Sequence, residues 1–355
     1  MIKETNIGHK IYPLICVFLL SFLVWSHWSW SGGSALALPF MTSCKYEPIN
    51  RSESHTKILF GVHAIRSKHP ALDTDDELHP NVTAEVMTTS HYKETDFDRR
   101  ILSLLADGEV VVHQTWKSTC VLKEKRRFIE SWINVQDRLH TVFWTDKTME
   151  AWVKHRFNGT RVMDGWDVIA SSNDAHIKKA DVFRALLIWY YGGIYTDLDI
   201  ELKKPLTGFL RENLTTIVWE PEESMIRWTE FTEGSPRKTL ILSGILLSGH
   251  RFSDFIGFYI NWVVENHITG RSGKGDHVID STGPRIEAEA YYYYTHRLDG
   301  HDRLLRGLTY PEFQNYAEHY SKTTWVESSI EDPDCFEIGS LFEKNQGAFI
   351  LGTPD

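Results

Sequence analysis

The chain has 355 residues, 42% hydrophobic and 24% charged, ordinary for a globular protein and long enough for one large domain plus appendages. A formal net charge of −10 argues against a nucleic-acid partner, because proteins that bind that backbone present a basic face. Four cysteines (Cys16, Cys44, Cys120 and Cys335) are too few for a disulfide scaffold, and their spacings match no zinc pattern.

Residues 1–10 are polar and carry Lys3 and Lys10. Residues 11–30 contain no Asp, Glu, Lys or Arg and reach the roughly 20 residues that a spanning helix needs. Trp25, Trp28 and Trp30 stand where an aromatic belt is expected, and lysines precede the run but do not directly follow it. The pattern predicts a single-pass type II signal anchor, with a cytosolic tail and a body in the lumen of the endoplasmic reticulum or Golgi. A cleaved signal peptide ending near Ala35-Leu36-Ala37 is the competing reading, but the apolar run stops well before that site. Sequons at Asn50, Asn81, Asn158 and Asn213 agree with a lumenal address. There Cys120 and Cys335 can pair, although sequence fixes no connectivity. Residues 31–107 read as a stem, with a solvated acidic run at 73–77 and an apolar stretch at 58–62 that can dock as a strand.

The body, residues 108–355, opens after an Asp-Gly turn with Val110, Val111 and Val112, an apolar run suited to a buried parallel strand. His113, Gln114, Thr115 and Trp116 follow, at the strand's carboxyl end, where open α/β sheets bind ligands. Residues 123–134 are expected as an amphipathic helix with Lys123, Lys125, Arg126 and Arg127 on a solvated face; 141–145 as a strand; 147–156 as a helix. Strands alternating with helices predict an α/β fold with a mostly parallel central sheet. The high Trp content is assigned mainly to core packing, with some rings left for stacking on sugars or bases.

Residues 175–205 change period midway. Phe183, Leu186, Leu187 and Tyr190 form one apolar helical stripe, and Asp181 and Arg184 project from a second face. Gly192-Gly193 ends the helix. After it the period is two, which puts Asp197 and Asp199 on one face of a short strand, where two carboxylates can close on a divalent cation. The bare Asp-x-Asp triplet says little, since it recurs at Asp73/Asp75, Asp96/Asp98 and Asp332/Asp334; the helix–glycine pair–strand frame is what singles this one out. Beyond it, 216–219 and 240–248 read as strands and 252–266 as a core helix. Ser281-Thr282-Gly283-Pro284 reads as a turn that starts a helix, and Tyr291 to Tyr294 as packing residues.

The ordered set Lys179-Ala180-Asp181, Arg184, Tyr190-Tyr191-Gly192-Gly193-Ile194-Tyr195-Thr196-Asp197-Leu198-Asp199 and Pro205 resembles the sugar-binding region of glycosyltransferase family 32. That family includes initiating α-1,6-mannosyltransferases and inositol-phosphoceramide mannosyltransferases. The likeness spans residues 110–325 and extends to His113–Trp116, to Thr282-Gly283-Pro284 and to a closing His319…Trp325 pair; Ser243-Gly244 stands where the family usually has Asn. The resemblance implies a GT-A-like Rossmann-type domain and a retaining, Mn2+-dependent hexose transfer from a nucleotide sugar, most closely GDP-mannose, to a glycan or glycolipid acceptor. It implies metal ligands Asp197, Asp199 and His319, and donor contacts from Asp181, Arg184, Gly192, Gly193, His113, Gln114, Thr115, Trp116, Thr282, Gly283 and Pro284. UDP-sugar transfer is the first alternative. A metal-dependent phosphohydrolase and an inactive lumenal carbohydrate-binding protein are the others.

Overall fold

The computed structural model describes residues 93–221, 240–272, 277–297, 304–320, 334–344 and 348–353. The anchor segment, most of the stem, the sequons at Asn50 and Asn81, and Trp325 lie outside them. Among the described residues no helix is long and apolar enough to cross a membrane.

Helix α1 (Asp96–Ala106) leads into β1 (Val110–Trp116), which carries the valine run. A short β2 (Cys120–Leu122) and a 3-10 turn (Lys123–Lys125) precede α2 (Arg126–Val135) and β3 (Leu139–Thr145). Three helices follow, α3 (Asp146–Phe157), α4 (Arg161–Ala170) and α5 (Ala175–Tyr191), before β4 (Gly193–Thr196) and β5 (Ile200–Leu202). The next elements are α6 (Thr207–Arg211), β6 (Thr215–Val218), β7 (Ile245–Ser248), α7 (Asp254–Ile268), α8 (Val278–Ser281) and α9 (Pro284–Arg297). The last are β8 (Leu305–Leu308), α10 (Tyr310–Gln314), β9 (Ala317–His319), β10 (Cys335–Glu337), α11 (Ile338–Lys344) and β11 (Ala348–Leu351).

Seven strands make the main sheet, in the order β11-β3-β1-β4-β7-β6-β8. β1 is parallel to β3 and β4, β3 to β11 and β6 to β8, and β7 alone runs antiparallel to its neighbours. The expected α/β class and mostly parallel sheet are therefore what the chain adopts. After β3 the chain crosses to the other side of β1 to lay down β4. That reversal opens a crevice at the carboxyl ends of β3, β1 and β4, the usual ligand position in such sheets.

The core differs from the expected single stripe on α5. Every residue of α5 from Asp181 to Tyr191 is buried, because the helix packs between the sheet, α4 and α7. A helix enclosed on all sides is apolar all round rather than amphipathic. Trp144 and Trp152 meet Phe183 edge-on, with ring centroids 5.3 and 5.6 Å apart. Each such buried ring contributes about 1.5–3 kcal/mol over its exposed state. These tryptophans are core, as expected of most of them.

Several boundaries are corrected by packing. Residues 96–106, assigned to the stem, form α1; Thr95 caps it in a reciprocal box with Asp98, and Phe97 and Ile101 enter the core. The folded body thus begins before the Asp107-Gly108 turn. The strand expected over 240–248 shortens to β7, because Ser243 and Gly244 form a turn. Helix α4 was not anticipated, and Lys125, expected on a solvated face, is buried at 3% exposure. Cys120 and Cys335 are joined in a disulfide with Cα atoms 5.5 Å apart, where β2 and β10 pair antiparallel. Asn158 and Asn213 are both exposed.

Candidate active site

The site is built by a change of direction at Gly192 and Gly193, whose φ values are 78° and 84°. A Cβ on Gly193 would lie 2.7 Å from the Val111 carbonyl oxygen, so only glycine lets α5 drop directly into β4 beside β1. The pair therefore serves backbone packing. It sits at the amino end of β4, about 10 Å from the strand's carboxyl end, and neither glycine, expected from the resemblance to contact the donor, lines the cavity described below.

At the carboxyl end β4 stops at Thr196, and Asp197 and Asp199 fall in the turn before β5 rather than on a continuous strand. The Asp197 amide donates to the Gly244 carbonyl at 2.8 Å. A Cβ on Gly244 would come within 3.0 Å of Asp197 Oδ2, so the Ser243-Gly244 turn leaves room for that carboxylate. Tyr195 donates to Asp197 Oδ1 at 2.7 Å and lies 2.8 Å from Thr115 Oγ1, linking the ends of β1 and β4.

Arg184 is the hub. Its guanidinium donates to Asp181 and to the Ser243 carbonyl, and reaches Asp197 Oδ2 at 3.5 Å. Burial pushes the carboxyls of Asp181 and Asp197 up, while the Arg184 charge opposes it. Burial alone would lower the pKa of Arg184, but Asp197 and Asp181 raise it, so the guanidinium stays charged. Behind this centre Thr282 Oγ1 donates to Asp181 Oδ2 at 2.8 Å, Gly283 packs beside the same carboxylate, and Pro284 opens α9. Asp181, Thr282, Gly283 and Pro284 thus fix the hub from behind and are absent from the cavity wall. Ser243 in turn donates to Glu287 Oε2 at 2.8 Å, and burial pushes that carboxyl up to about 7 against the bond from Ser243.

His319 arrives from far along the chain because β9 pairs with β5, Ile200 opposite His319. Its Nε2 stands 3.7 Å from Asp199 Oδ2. Burial works against its charged form, but the Asp199 contact together with the nearby charges of Glu220 and Asp197 outweighs this and raises its pKa. Asp199 Oδ1 is buried with no hydrogen-bond partner, an orphan acceptor of the kind that marks an absent cation or donor. Two carboxylates and an imidazole are donor types that Mn2+ accepts. Among the described residues no three His, Cys, Asp or Glu side chains form a closed cage, so further ligands would come from water or substrate oxygens.

A cavity of about 190 Å³ opens on this centre. Arg184, Tyr195, Asp197 and Asp199 line one part, and Thr115, Trp116, Lys117 and Lys125 another. His113 and Gln114 do not reach it. His113 is fully buried, stacked on Tyr191 with centroids 5.4 Å apart, and desolvation pulls its pKa to about 3. Thr115 and Trp116 reach the crevice because they stand at the carboxyl end of β1; His113, on the same face as Thr115, lies one repeat deeper in the strand. Sequence reasoning missed Tyr195, Lys125, Ser243 and Glu287. For Tyr195 a signal existed, since it lies two residues before Asp197 on the same strand face.

Residues 123–222 match the family described as "Glycosyltransferase sugar-binding region containing DXD motif". Inositol phosphoceramide mannosyltransferase 3 of Schizosaccharomyces pombe is 29% identical over 101 residues, 28% of this chain and 26% of that protein. Inositol phosphoceramide mannosyltransferase 1 of the same organism is 24% identical over 229 residues, 61% of either chain. The chain thus matches less than two thirds of the length of these relatives. A solved structure, PaToxG Glycosyltransferase, aligns over 55% of this chain and 75% of its own at 13% identity and a TM-score of 0.36. Residues 123–222 therefore carry a glycosyltransferase sugar-binding region of the Asp-x-Asp type, and the chain is similar over part of its length to inositol phosphoceramide mannosyltransferases.

Proposed function

We propose that the protein is a retaining, metal-dependent glycosyltransferase with a GT-A-like domain, moving a hexose, mannose from GDP-mannose, to a glycan or glycolipid acceptor in the secretory pathway. One observation carries the reading: Asp197, Asp199 and Arg184 meet at the wall of a single cavity, at the carboxyl ends of parallel strands. The mannose assignment rests on the names of the relatives. A lumenal body held by a type II anchor is supported by the Cys120–Cys335 disulfide, a bond that persists in oxidising compartments, and by the two exposed sequons.

In this reading Asp197, Asp199 and His319 hold the cation, which when bound supplies positive charge to the departing diphosphate. Arg184, charged and on the cavity wall, takes a phosphate oxygen. Asp181 and Thr282 hold Arg184 in that orientation, and Tyr195 holds Asp197. The resemblance to retaining transferases supports attack by the acceptor hydroxyl from the leaving-group face, its proton passing to the departing diphosphate.

The test is a donor screen with the purified full chain: GDP-mannose, UDP-galactose, UDP-N-acetylglucosamine and UDP-glucose, each with Mn2+ and with chelator. Turnover of GDP-mannose that chelator abolishes is the expected result. Release of inorganic phosphate from simple esters, with no donor consumed, would overturn it in favour of a phosphohydrolase.

A further inference from the structure

The cavity extends beyond the phosphate-facing centre. Ile177 and Arg184 both line it and are seven residues apart on α5, about 10 Å along the axis, so it runs along two turns of that helix. Its far part lies between the start of α5 and the start of α3, walled by Met149, Ile177 and Trp116 and containing Asp146 and His176. Apolar walls suit a flat ring, and the distance from Arg184 suits a base held by its diphosphate at the other end.

Asp146 is the uncommitted group there. It is the first residue of α3, and the helix cap is supplied by Thr145 and Thr148, not by Asp146. Among the described residues nothing hydrogen-bonds to its carboxylate. Its outer side is exposed; the walls around it raise its carboxyl, while the nearby His176, Lys117 and Lys179 oppose that. An ionised carboxylate has acceptors only. Guanine alone among the common bases offers two adjacent donors on its pairing edge, N1–H and the 2-amino group, which a carboxylate can take together. Uracil offers one N–H between two carbonyl oxygens, and adenine and cytosine place a ring acceptor beside their amino donor; each would set a lone pair against the carboxylate.

Resting on the glycosyltransferase reading above, we infer that Asp146 is the specificity-determining residue that selects a guanosine diphosphate donor, by accepting the N1–H and 2-amino hydrogens of the base in the slot between α3 and α5. A site built around a donor pair discriminates strongly, because a ligand that lacks the pair leaves the carboxylate desolvated and unmatched.

The experiment is calorimetric binding of GDP, UDP and xanthosine diphosphate, with Mn2+, to the full chain and to Asp146→Asn. The wild type is expected to prefer GDP over UDP at least tenfold. Asp146→Asn should lose GDP affinity by about 10- to 100-fold, the worth of hydrogen bonds to a charged group. It should gain xanthosine diphosphate, because the amide now donates to the 2-carbonyl oxygen and still accepts N1–H. A gain of binding cannot come from misfolding. Equal GDP and UDP affinity in the wild type, or an Asp146→Asn protein that keeps its preference for GDP over xanthosine diphosphate, overturns the assignment and leaves the transferase reading standing. Wild type that binds no nucleoside diphosphate removes that reading, and this inference with it.

Discussion

Two Asp-x-Asp triplets of this chain fall in described, folded structure, and they do opposite work. Around Asp96-Phe97-Asp98 the second carboxylate is fully buried and closed: Tyr191 donates to Oδ1 at 2.5 Å, while the Thr95 amide and hydroxyl and Arg156 converge on Oδ2. One aspartate faces one arginine, and the result ties α1 to α3 and α5. Around Asp197-Leu198-Asp199 a single Arg184 faces Asp181 and Asp197, and Asp199 keeps an oxygen with no partner. The first cluster is enclosed by packing; the second opens on a cavity. Residue types are the same in both, down to a tyrosine hydroxyl on the carboxylate. What separates a brace from a site is surplus negative charge beside open space.

The contrast can be broken by exchanging what each cluster loses. Asp98→Ala leaves Arg156 buried without its partner and should cost about 3–5 kcal/mol in urea denaturation. Any donor hydrolysis should survive in the fraction that stays folded. Asp199→Ala should do the reverse, cutting metal-dependent turnover on the order of 100- to 1000-fold with an unchanged denaturation midpoint. If Asp199→Ala lowers the denaturation midpoint as far as Asp98→Ala does, or keeps its metal-dependent turnover, the two clusters do not differ as described.

A finer test uses pH. Buried His113 has its pKa pulled to about 3, below its ordinary 6.5. The unfolded chain therefore takes up the proton first, so the stability tied to neutral His113 is complete above pH 6.5 and is lost as pH falls toward 3. The loss amounts to at most about 1.4 kcal/mol per pH unit. His113→Phe, which keeps a ring against Tyr191, should move the acid-unfolding midpoint to lower pH in a circular-dichroism titration. Smallest is Tyr195→Phe. It removes the bonds to Thr115 and Asp197 and should slow turnover about tenfold, with the donor KM little changed.

The sequence made the scaffold of the site legible and left much of its surroundings hidden. The valine run and the core helix near 252–266 carry local signals and became the elements expected; the switch of period at Gly192-Gly193 gave β4, but the strand breaks at Asp197–Asp199 before β5 resumes. Spacing put Arg184 and Asp181 on one helix face and the family likeness made them site residues; burial of the pair was not legible, because a 3.6-residue pattern cannot show that Ser243 and Thr282, from distant segments, close over that face. His319 was reached through the family likeness; the physical reason it belongs is the β5–β9 ladder, a pairing with no local trace. Lys125 and Glu287 were missed for the same reason. Their neighbours come from other elements, and a lysine among four basic residues looks solvated until the crevice beside it is known. His113 misled in the other direction, since a polar residue in a strand interior points to whichever face the register dictates.

The outermost parallel strand has a further consequence for how the chain is made. β3 is paired on one side by β1, a near neighbour in sequence, and on the other by β11, the last strand described. Cys120 likewise waits for Cys335, 215 residues downstream. During synthesis β3 therefore presents an open edge for as long as it takes to make nearly all of the body, and long-range parallel pairings of this kind form slowly. An unpaired edge of Val142, Phe143 and Trp144 is a template for another chain. The cost of completing the sheet from its far end is a long window in which a stalled or truncated chain aggregates rather than folds.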